Sequence, residues 1–522
     1  MPRDRHKLRG ADDRALKGYA PLVVLVAAVV AMVALVPSKV PGGAGAGEPG
    51  TVAETAAGQT ASGWGTSVKP CPGQPKQVPE GMSYSPPCFQ FSGDNGGATS
   101  RGVTGTTIKV TYRNTTDPPL LQLLGNVGGI DLHETNEKVA GTAKALVEYF
   151  NKHMQFYGRK LEFVGYQGRG SIINEFTGGG QDLAGNDSIK VANEVGAFAD
   201  ASALTQPYAD ALARNKVIAI GAPYMSQQWF QARRPYAWST TPDCTAVSQI
   251  SAEYTNKRLL GRPAKFAGDG LKDKPRTLAV IAPNNLEYQQ CVDAFAKGIA
   301  KEGHKIDLRL DYTLDVAQLQ GEAASLSAKL KAANVTSVSC ACDPIMQAYL
   351  AQNANAQNYH PEWLIAGVGF IDLDLGGQII ANLSGDQWNR AFGGSPTTKA
   401  LSPQTSEAYQ AYRSIEPNGT PSVLVDQIYD QILTLALGIQ MAGPDLTPAH
   451  FETGLFAFPK ASGQAGLWDW RDNTYTPVRD IREIWWDPNK ISPFNNKKGT
   501  WDDNGVRWEQ GHIPEGDPEV FK

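Results

Sequence analysis

Histidine is scarce in this chain, and the motifs that mark common enzyme classes are missing. Seven histidines occur in 522 residues, scattered without the spacing of metal ligands. There is no HExxH stretch and no nucleophile elbow. The glycine-rich stretch GRGSIINEFTGGGQDLAGND lacks the Lys-Ser or Lys-Thr pair of a phosphate-binding loop, so a surface loop is expected there. We therefore predict no enzyme activity, no metal and no cofactor.

Charge of either sign is also limited. Charged residues make up 19% of the chain, and the net charge of −4 supplies no basic surface for a polyanion. We expect no nucleic-acid partner. The hydrophobic fraction of 41% is typical of a soluble globular protein. A folded part of about 400 residues exceeds one ordinary core, which predicts two domains.

The N-terminal region predicts export. Residues 1–17 carry Arg3, Arg5, Lys7, Arg9, Arg14 and Lys17, and the apolar residues 18–37 follow without a charge. This order predicts a signal anchor with a cytoplasmic N-terminus and the bulk of the chain outside the membrane. A cleaved signal peptide is the alternative. No cysteine follows closely, which excludes a lipoprotein anchor.

A tether is predicted next. Residues 38–102 are rich in Gly, Ala, Pro, Ser and Thr and lack the apolar periodicity of a core, so a disordered linker is expected. Cys71 and Cys88 lie within CPGQPKQVPEGMSYSPPC, where no further metal ligands are close. This spacing favours a local disulfide.

Residues 197–224, AFADASALTQPYADALARNKVIAIGAPY, predict a strand, a helix and a second strand. Ser202 and Thr205 are expected to cap the helix over residues 204–214, and residues 217–220 form the next strand. A parallel crossover of this kind buries apolar strands under helices. It leaves the strand ends and helix N-termini at one ligand-facing edge.

Strands and helices alternate on both sides of this unit. Earlier in the chain, the strand TIKVTYRN precedes an amphipathic helix over residues 139–153 and a strand over residues 160–166. Later, strands are predicted over 277–282, 305–312, 337–341 and 363–367, and helices over 286–301, 316–333 and 344–353. This alternation predicts parallel sheets with both faces covered.

Two C-terminal stretches are more specific. Residues 422–455, SVLVDQIYDQILTLALGIQMAGPDLTPAHFETGL, predict a long helix with Asp426, Tyr429 and Asp430 near its start. Residues 466–488, GLWDWRDNTYTPVRDIREIWWDP, predict a hairpin. Together with the strand-helix units, these stretches resemble the type I periplasmic-binding-protein family, that of the leucine/isoleucine/valine-binding proteins. The resemblance covers roughly residues 103–485.

The resemblance implies an α/β fold of two Rossmann-like lobes with parallel sheets, joined by hinge crossovers. The expected divisions are a basic N-terminus (1–17), an apolar helix (18–37), a linker (38–102), a first lobe (103–240), a second lobe (241–375), shared return segments (376–485) and a C-terminal extension (486–522).

The resemblance also implies a ligand held between the lobes by loops that follow the strands. The matching positions of this chain are Asp200, Ala201, Ser202, Ala222, Pro223 and Tyr224 in the first lobe and Asn285, Tyr288, Asp343, Gly369 and Phe370 in the second. Each has a structural alternative as well. Ser202 equally suits a helix cap, and Phe370 equally suits a core position.

The ligand class stays open. Amino-acid binders of the family commonly carry a Ser/Thr-rich turn where this chain has residues 222–224, and a carboxylate for the ligand ammonium near the last second-lobe strand. Asp372 is the nearest acidic residue here. An amino acid, an amide, a short peptide and an aromatic acid all remain candidates.

The remaining cysteines allow several arrangements. Cys340 and Cys342 match neither a CxxC redox motif nor a metal site, so they are expected to be structural or to pair with Cys244 or Cys291. Of these arrangements, we predict a bond between Cys244 and Cys291.

The function implied by the resemblance is an extracytoplasmic, membrane-tethered substrate-binding protein that delivers its ligand to the permease subunits of an ABC importer. A ligand sensor of the same fold and a cell-envelope hydrolase are the alternatives. The 17 residues before the apolar run are too few for a cytoplasmic output domain, which favours transport.

Overall fold

The computed structural model describes residues 67–127, 131–177, 179–222, 224–315, 317–367, 370–470 and 474–522. The expected basic N-terminus, the apolar segment 18–37 and residues 38–66 of the expected linker lie outside the described residues, as do Pro223 and Gly369. Within the described ranges, no helix is both long enough and apolar enough to cross a bilayer.

Strands and helices alternate along most of the described chain. The strands are β1 (Val68–Pro70), β2 (Phe89–Phe91), β3 (Thr107–Asn114), β4 (Lys160–Gln167), β5 (Ala199–Asp200), β6 (Ile218–Ile220), β7 (Ala237–Trp238), β8 (Leu278–Pro283), β9 (Leu308–Tyr312), β10 (Ser337–Cys340), β11 (Glu362–Ile365), β12 (Ala391–Ser395), β13 (Ala461–Gly463), β14 (Gly466–Trp468), β15 (Asp480–Ile491) and β16 (Lys498–Glu509).

The helices surround these strands. They are α1 (Leu120–Val127), α2 (Asn136–His153), α3 (Ile172–Phe176), α4 (Gln181–Ile189), α5 (Gln206–Arg214), α6 (Gln227–Gln231), α7 (Cys244–Tyr254), α8 (Leu286–Ala300), α9 (Leu319–Ala332), α10 (Pro344–Ala356), α11 (Asp374–Ser384), α12 (Glu407–Ile415), α13 (Val425–Ala442) and α14 (Pro448–Phe456). The predicted α/β fold with parallel sheets is confirmed.

The first sheet is parallel throughout, in the order β4-β3-β5-β6-β7. Its central strands are short and buried on both faces, as in the apolar run of β6. Helices α2, α13 and α14 complete the core of this half. Thr135 caps α2 by accepting a hydrogen bond from the Lys138 N–H, and the buried face of α2 includes Leu146 and Phe150.

The second sheet has the order β16-β15-β12-β11-β10-β8-β9. Strands β9, β8, β10, β11 and β12 are parallel, whereas β15 and β16 add an antiparallel edge. All six residues of β8 are buried, as expected for a strand covered by helices on both faces. Separate apolar clusters cover the two faces of this sheet.

The chain passes between the halves in neighbouring segments that hydrogen-bond to one another. The Ser239 N–H donates to the Tyr475 carbonyl (3.1 Å), and the Thr476 hydroxyl donates to Asp243 (2.9 Å). Because these bonds join two crossing segments, rotation of one half against the other involves both segments together.

Residues 67–102 correct the expectation of a disordered linker. Strands β1 and β2 pair antiparallel, Cys71 is bonded to Cys88, and Tyr84 stacks on Trp468 with ring centroids 4.1 Å apart. The backbone N–H of Ser83 donates to the Glu407 carboxylate. The low apolar content of this segment predicted disorder. The segment is ordered because a few buried side chains and one disulfide fix it against the rest of the protein.

The other cysteines give one confirmation and one correction. Cys244 is bonded to Cys291, as predicted, and this bond joins α7 to α8. Cys340 is bonded to Cys342, so the expected alternative of a bond to Cys244 or Cys291 is wrong. The turn that leaves β10 brings their Cα atoms within 5.0 Å, a local geometry that the spacing did not reveal.

Two further differences concern element ends. Thr205 precedes α5, but its hydroxyl donates to Glu175 instead of capping the helix, and Ser202 lies outside the first turn. The C-terminal residues, which the sequence left unplaced, form β16. Trp501 of that strand is buried against Trp486 and Trp388.

Candidate ligand cleft

Each sheet places its first and third strands side by side, as β3 and β5 in one half and β8 and β10 in the other. In α/β folds this is where successive connections leave the sheet in opposite directions and open a crevice at the carboxyl ends of the strands. The chain leaves these strands at Asn114, Asp200, Pro283 and Cys340. Most of the residues predicted to bind ligand follow closely after these ends.

Asp200 is fully buried at the end of β5. Its carboxylate accepts hydrogen bonds from the hydroxyls of Thr111 (2.7 Å), Ser202 (2.7 Å) and Tyr208 (2.8 Å). Burial raises the pKa of Asp200, and these hydrogen bonds oppose the rise. In this structure Asp200 therefore contacts protein groups and positions Ser202.

Ser202 is held from a second side by Arg113. The Arg113 backbone N–H donates to the Ser202 hydroxyl (2.8 Å). The Arg113 guanidinium pairs with Glu175 (2.8 Å) and Asp187 (3.3 Å) and lies 3.6 Å from the centroid of the Tyr208 ring. This cluster could not be predicted from the sequence because its members come from separate elements. Its acidic residues belong to the glycine-rich stretch, which thereby packs against the first sheet.

In the second half, Asp343 caps helix α10. Its carboxylate accepts from the backbone N–H groups of Ile345 (2.9 Å) and Met346 (3.0 Å) and from the Tyr312 hydroxyl (2.6 Å). Burial raises the pKa of Asp343, and the Tyr312 bond opposes the rise. Tyr312, at the end of β9, was missed because nothing in its local sequence marks the contact.

Asn285 and Tyr288 open helix α8. Asn285 makes no side-chain cap bond, and its buried Oδ1 has no hydrogen-bond partner among the described residues. A buried acceptor without a donor is costly unless a ligand or water satisfies it. Tyr288 is half-buried, and burial followed by the Asp343 charge raises its pKa to about 12. The Asp343 charge acts on Tyr288, so the Tyr288 side of this loop lies near Asp343.

Tyr224 and Phe370 join the halves. They follow β6 and β11, and their rings meet edge to face with centroids 5.9 Å apart. Both have left-handed backbone conformations, with φ of 54° and 61°. Such strain in residues with side chains is concentrated at functional loops. Burial raises the pKa of Tyr224, the Asp372 charge raises it further, and a hydrogen bond from the Phe370 backbone opposes the rise.

Asp372 was the candidate partner for a ligand ammonium. It is 2% exposed, and its carboxylate accepts a hydrogen bond from the Ser395 hydroxyl (2.6 Å). It lies close enough to Tyr224 to raise the pKa of that residue. The Asp372 carboxylate is therefore engaged by a protein hydroxyl near Tyr224, and its role as partner of a ligand ammonium stays a prediction.

Comparison with known proteins identifies the fold family. Residues 132–487 match a family described as periplasmic binding protein, and this match spans more than half of the chain. The chain belongs to the type I periplasmic binding protein family. This membership confirms the resemblance noted in the sequence, and it implies an extracytoplasmic location.

Solved structures with the periplasmic binding protein fold include ABC-transporter proteins. A solute-binding protein from R. palustris, solved with 4-hydroxybenzoate, is 12% identical with a TM-score of 0.55, covering 77% of this chain and 97% of its own. An ABC-transporter substrate-binding protein from Aeropyrum pernix is 15% identical with a TM-score of 0.53, and the match covers 78% of this chain and 96% of that protein. A fatty acid ABC transporter substrate-binding protein from Thermomonospora curvata is 14% identical with a TM-score of 0.52, and the match covers 78% of this chain and 94% of that protein. No curated protein matches the sequence.

In this periplasmic binding protein, the structure brings four of the predicted positions into one region: Tyr224, Tyr288, Asp343 and Phe370. Ala201 and Ala222 are buried behind them, with 1% and 0% of their surface exposed. As ligand contacts, all of these residues stay predictions, and so do Asp200, Ser202 and Asn285.

Proposed function

We propose that the protein captures a small solute between its two halves and presents it to an ABC-type importer, with residues 18–37 anchoring it to the outer face of the membrane. The observation that carries this proposal is the contact of Tyr224 with Phe370 across the two halves. A solute that touches loops of both halves stabilises the closed form through its differential affinity.

Of the candidate ligands, we favour an aromatic acid. Tyr224, Tyr288 and Phe370 supply aromatic surface. Asn285 supplies an unpartnered acceptor for a ligand hydroxyl. Among the described residues, no side chain caps the first turn of α8, so its backbone N–H groups could bind a carboxylate. The R. palustris neighbour was solved with 4-hydroxybenzoate, a ligand that has an aromatic ring, a hydroxyl and a carboxylate.

Thermal unfolding of the full chain tests this proposal. We expect 4-hydroxybenzoate or a related aromatic acid to raise the melting temperature, whereas amino acids, amides and short peptides raise it less. A ligand at 100 times its Kd stabilises the folded state by about 2.7 kcal/mol. The absence of any shift with all four classes would contradict the proposed binding function.

Two variants localise the ligand. Asn285→Leu removes the unpartnered amide. The variant should need at least ten times more ligand for the same rise in melting temperature, because the lost hydrogen bond involves a buried acceptor. Leu286→Ala is the matched control and should respond to ligand as the wild type does, since Leu286 follows Asn285 in the chain and its side chain is 69% exposed. Equal responses of both variants would place the ligand elsewhere.

A sensor of the same fold is the second candidate function. Uptake of the identified ligand by cells that lack this gene distinguishes the two. Loss of uptake, restored by the full chain, supports delivery to an importer. Normal uptake with a lost transcriptional or behavioural response supports the sensor.

A further inference from the structure

A second pocket lies outside the aromatic contact. It is about 140 Å³ in volume and is formed by the start of α13, the segment 397–401 that follows β12, and the start of α11. Asp372, the candidate partner for a ligand ammonium, lines it, whereas none of the other described residues predicted to bind ligand does. The ionisable groups that face it are Asp372, Asp374, Lys399, Glu407, Asp426 and Asp430, together with the hydroxyls of Tyr84 and Tyr429.

Several of these groups are already satisfied by other residues. Asp374 accepts from the Thr500 hydroxyl (2.6 Å) and the Trp501 backbone N–H (2.9 Å). Lys399, the pocket's cation, is paired with Asp503 (2.9 Å). Because Lys399 is committed to that ion pair, it does not neutralise the carboxylates of α13.

Glu407 and Asp372 are also engaged. Glu407 accepts from the backbone N–H and the hydroxyl of Ser83, and Asp372 accepts from Ser395. Both residues nevertheless line the pocket. The pocket is therefore acidic before the carboxylates of α13 are considered.

Asp426 and Asp430 lie one turn apart on α13. Burial raises the pKa of Asp426 and the Ser406 hydroxyl opposes the rise, whereas no group in the described part of the chain donates to Asp430 or places a positive charge beside it. Burial, Asp426 and Glu407 together raise the pKa of Asp430 well above its ordinary value. Among the residues that the structure describes, this carboxyl group therefore has no counter-charge.

Tyr429 supplies an independent observation. It is 3% exposed, it lines the pocket, and its hydroxyl has no hydrogen-bond partner among the described residues. Burial first, then Tyr149, Glu407 and Asp430, raises the pKa of this hydroxyl. The unpartnered oxygen therefore lies beside the pocket carboxylates, where a bound donor would satisfy it.

We propose that this pocket binds a small alkylammonium ion. Its ammonium group donates to Asp430, Asp426 and the Tyr429 hydroxyl, and its alkyl part and charge lie against the rings of Tyr84 and Tyr429. The size fits, because a cavity of about 150 Å³ accommodates benzene. No cluster of metal-ligating side chains occurs in the described part of the chain, which favours an organic cation over a metal ion.

Calorimetric titration of the full chain with n-butylammonium chloride at pH 7.5 tests the site, with n-butanol and butyrate as neutral and anionic counterparts. We expect saturable binding of n-butylammonium alone. Asp430→Asn should weaken that binding at least tenfold, and Tyr429→Phe should weaken it to a smaller extent. Lowering the pH should weaken binding to the wild type, because protons compete for Asp430.

Two controls make the result specific. Asp182→Asn removes one exposed carboxylate and should leave n-butylammonium affinity unchanged. Tyr288→Ala alters the aromatic cleft and should also leave it unchanged. The proposal is overturned by the absence of saturable binding to the folded wild type, by equal loss in Asp182→Asn and Asp430→Asn, or by loss in Tyr288→Ala. Should Asp430→Asn fail to fold, the n-butylammonium affinity of Tyr429→Phe is compared with that of Asp182→Asn instead, and an equal loss in both variants overturns the proposal. None of these outcomes bears on aromatic-acid binding, which the thermal-shift experiment measures separately.

Discussion

Tyr224 and Phe370 meet edge to face across the two halves of the molecule, with ring centroids 5.9 Å apart. Each ring is carried by a loop residue in the left-handed conformation, so both loops are held in strained positions where they meet. This contact couples the angle between the halves to the groups that line the cleft. Variants of either residue should therefore change closure as well as ligand affinity.

Tyr224→Ala tests that coupling. Aromatic pairs contribute about 0.5–1.5 kcal/mol beyond the area they bury, so the closed form should lose on the order of 1 kcal/mol. We expect the radius of gyration from small-angle X-ray scattering to increase without ligand, and ligand affinity to fall about fivefold. Tyr224→Phe keeps the ring and should behave as the wild type in scattering. Unchanged scattering in Tyr224→Ala would show that the ring contact does not hold the halves together.

Arg113→Met should destabilise the first half strongly. The variant leaves the buried carboxylates of Glu175 and Asp187 without their cation, a change that costs about 3–5 kcal/mol in comparable buried pairs. Urea unfolding measures the loss. Arg214→Met is the control, since Arg214 pairs with Asp210 at a largely exposed position where about 0.5 kcal/mol is expected. Similar losses in both variants would refute the structural role of the Arg113 cluster.

Replacing Cys71 and Cys88 by serine should reduce stability by about 3 kcal/mol, because their bond closes a loop of 17 residues in the unfolded chain. The corresponding change at Cys340 and Cys342 should cost about 1.2 kcal/mol by the same loop-closure argument, since their separation is two residues. Denaturant titrations of the two double variants give the comparison. A larger loss for the second pair would contradict the loop-entropy explanation.

The pH dependence of stability should change in Asp430→Asn. Burial and the neighbouring carboxylates raise the pKa of Asp430 in the folded state, so the folded chain keeps that proton to higher pH than the unfolded chain does. The stabilisation is complete below about pH 4, the unfolded pKa, and is lost as the pH rises through the folded pKa. The asparagine variant removes this dependence. Its melting temperature relative to the wild type should rise between pH 5 and pH 8, and a constant difference would disprove the assignment.

The order of elements was predictable because it rests on local patterns. The buried run of β8 and the 18-residue helix α13 have periodicities that depend on neighbouring residues alone. The segment 67–102 was missed for the opposite reason. Its order depends on distant partners, such as the contact of Ser83 with Glu407, 324 residues away in sequence.

The candidate cleft was predictable in position but not in detail. Strand ends of an α/β fold mark the ligand edge, which is why Asn285 and Asp343 could be proposed from the sequence. Tyr312 and Arg113 could not, because they act on Asp343 and Ser202 through contacts that only the folded chain creates. The burial of Asp200 was likewise invisible to a pattern of polar residues after a strand.

The sequence by itself determined the alternation of strands and helices and the family. Those features follow from residue periodicity and from segments that keep their order along the chain. Only the tertiary structure decided that Tyr224 meets Phe370, and that Asp430 and the Tyr429 hydroxyl share an acidic pocket. Such relationships depend on burial and on distances between separate elements, and neither quantity is set by any local stretch of residues.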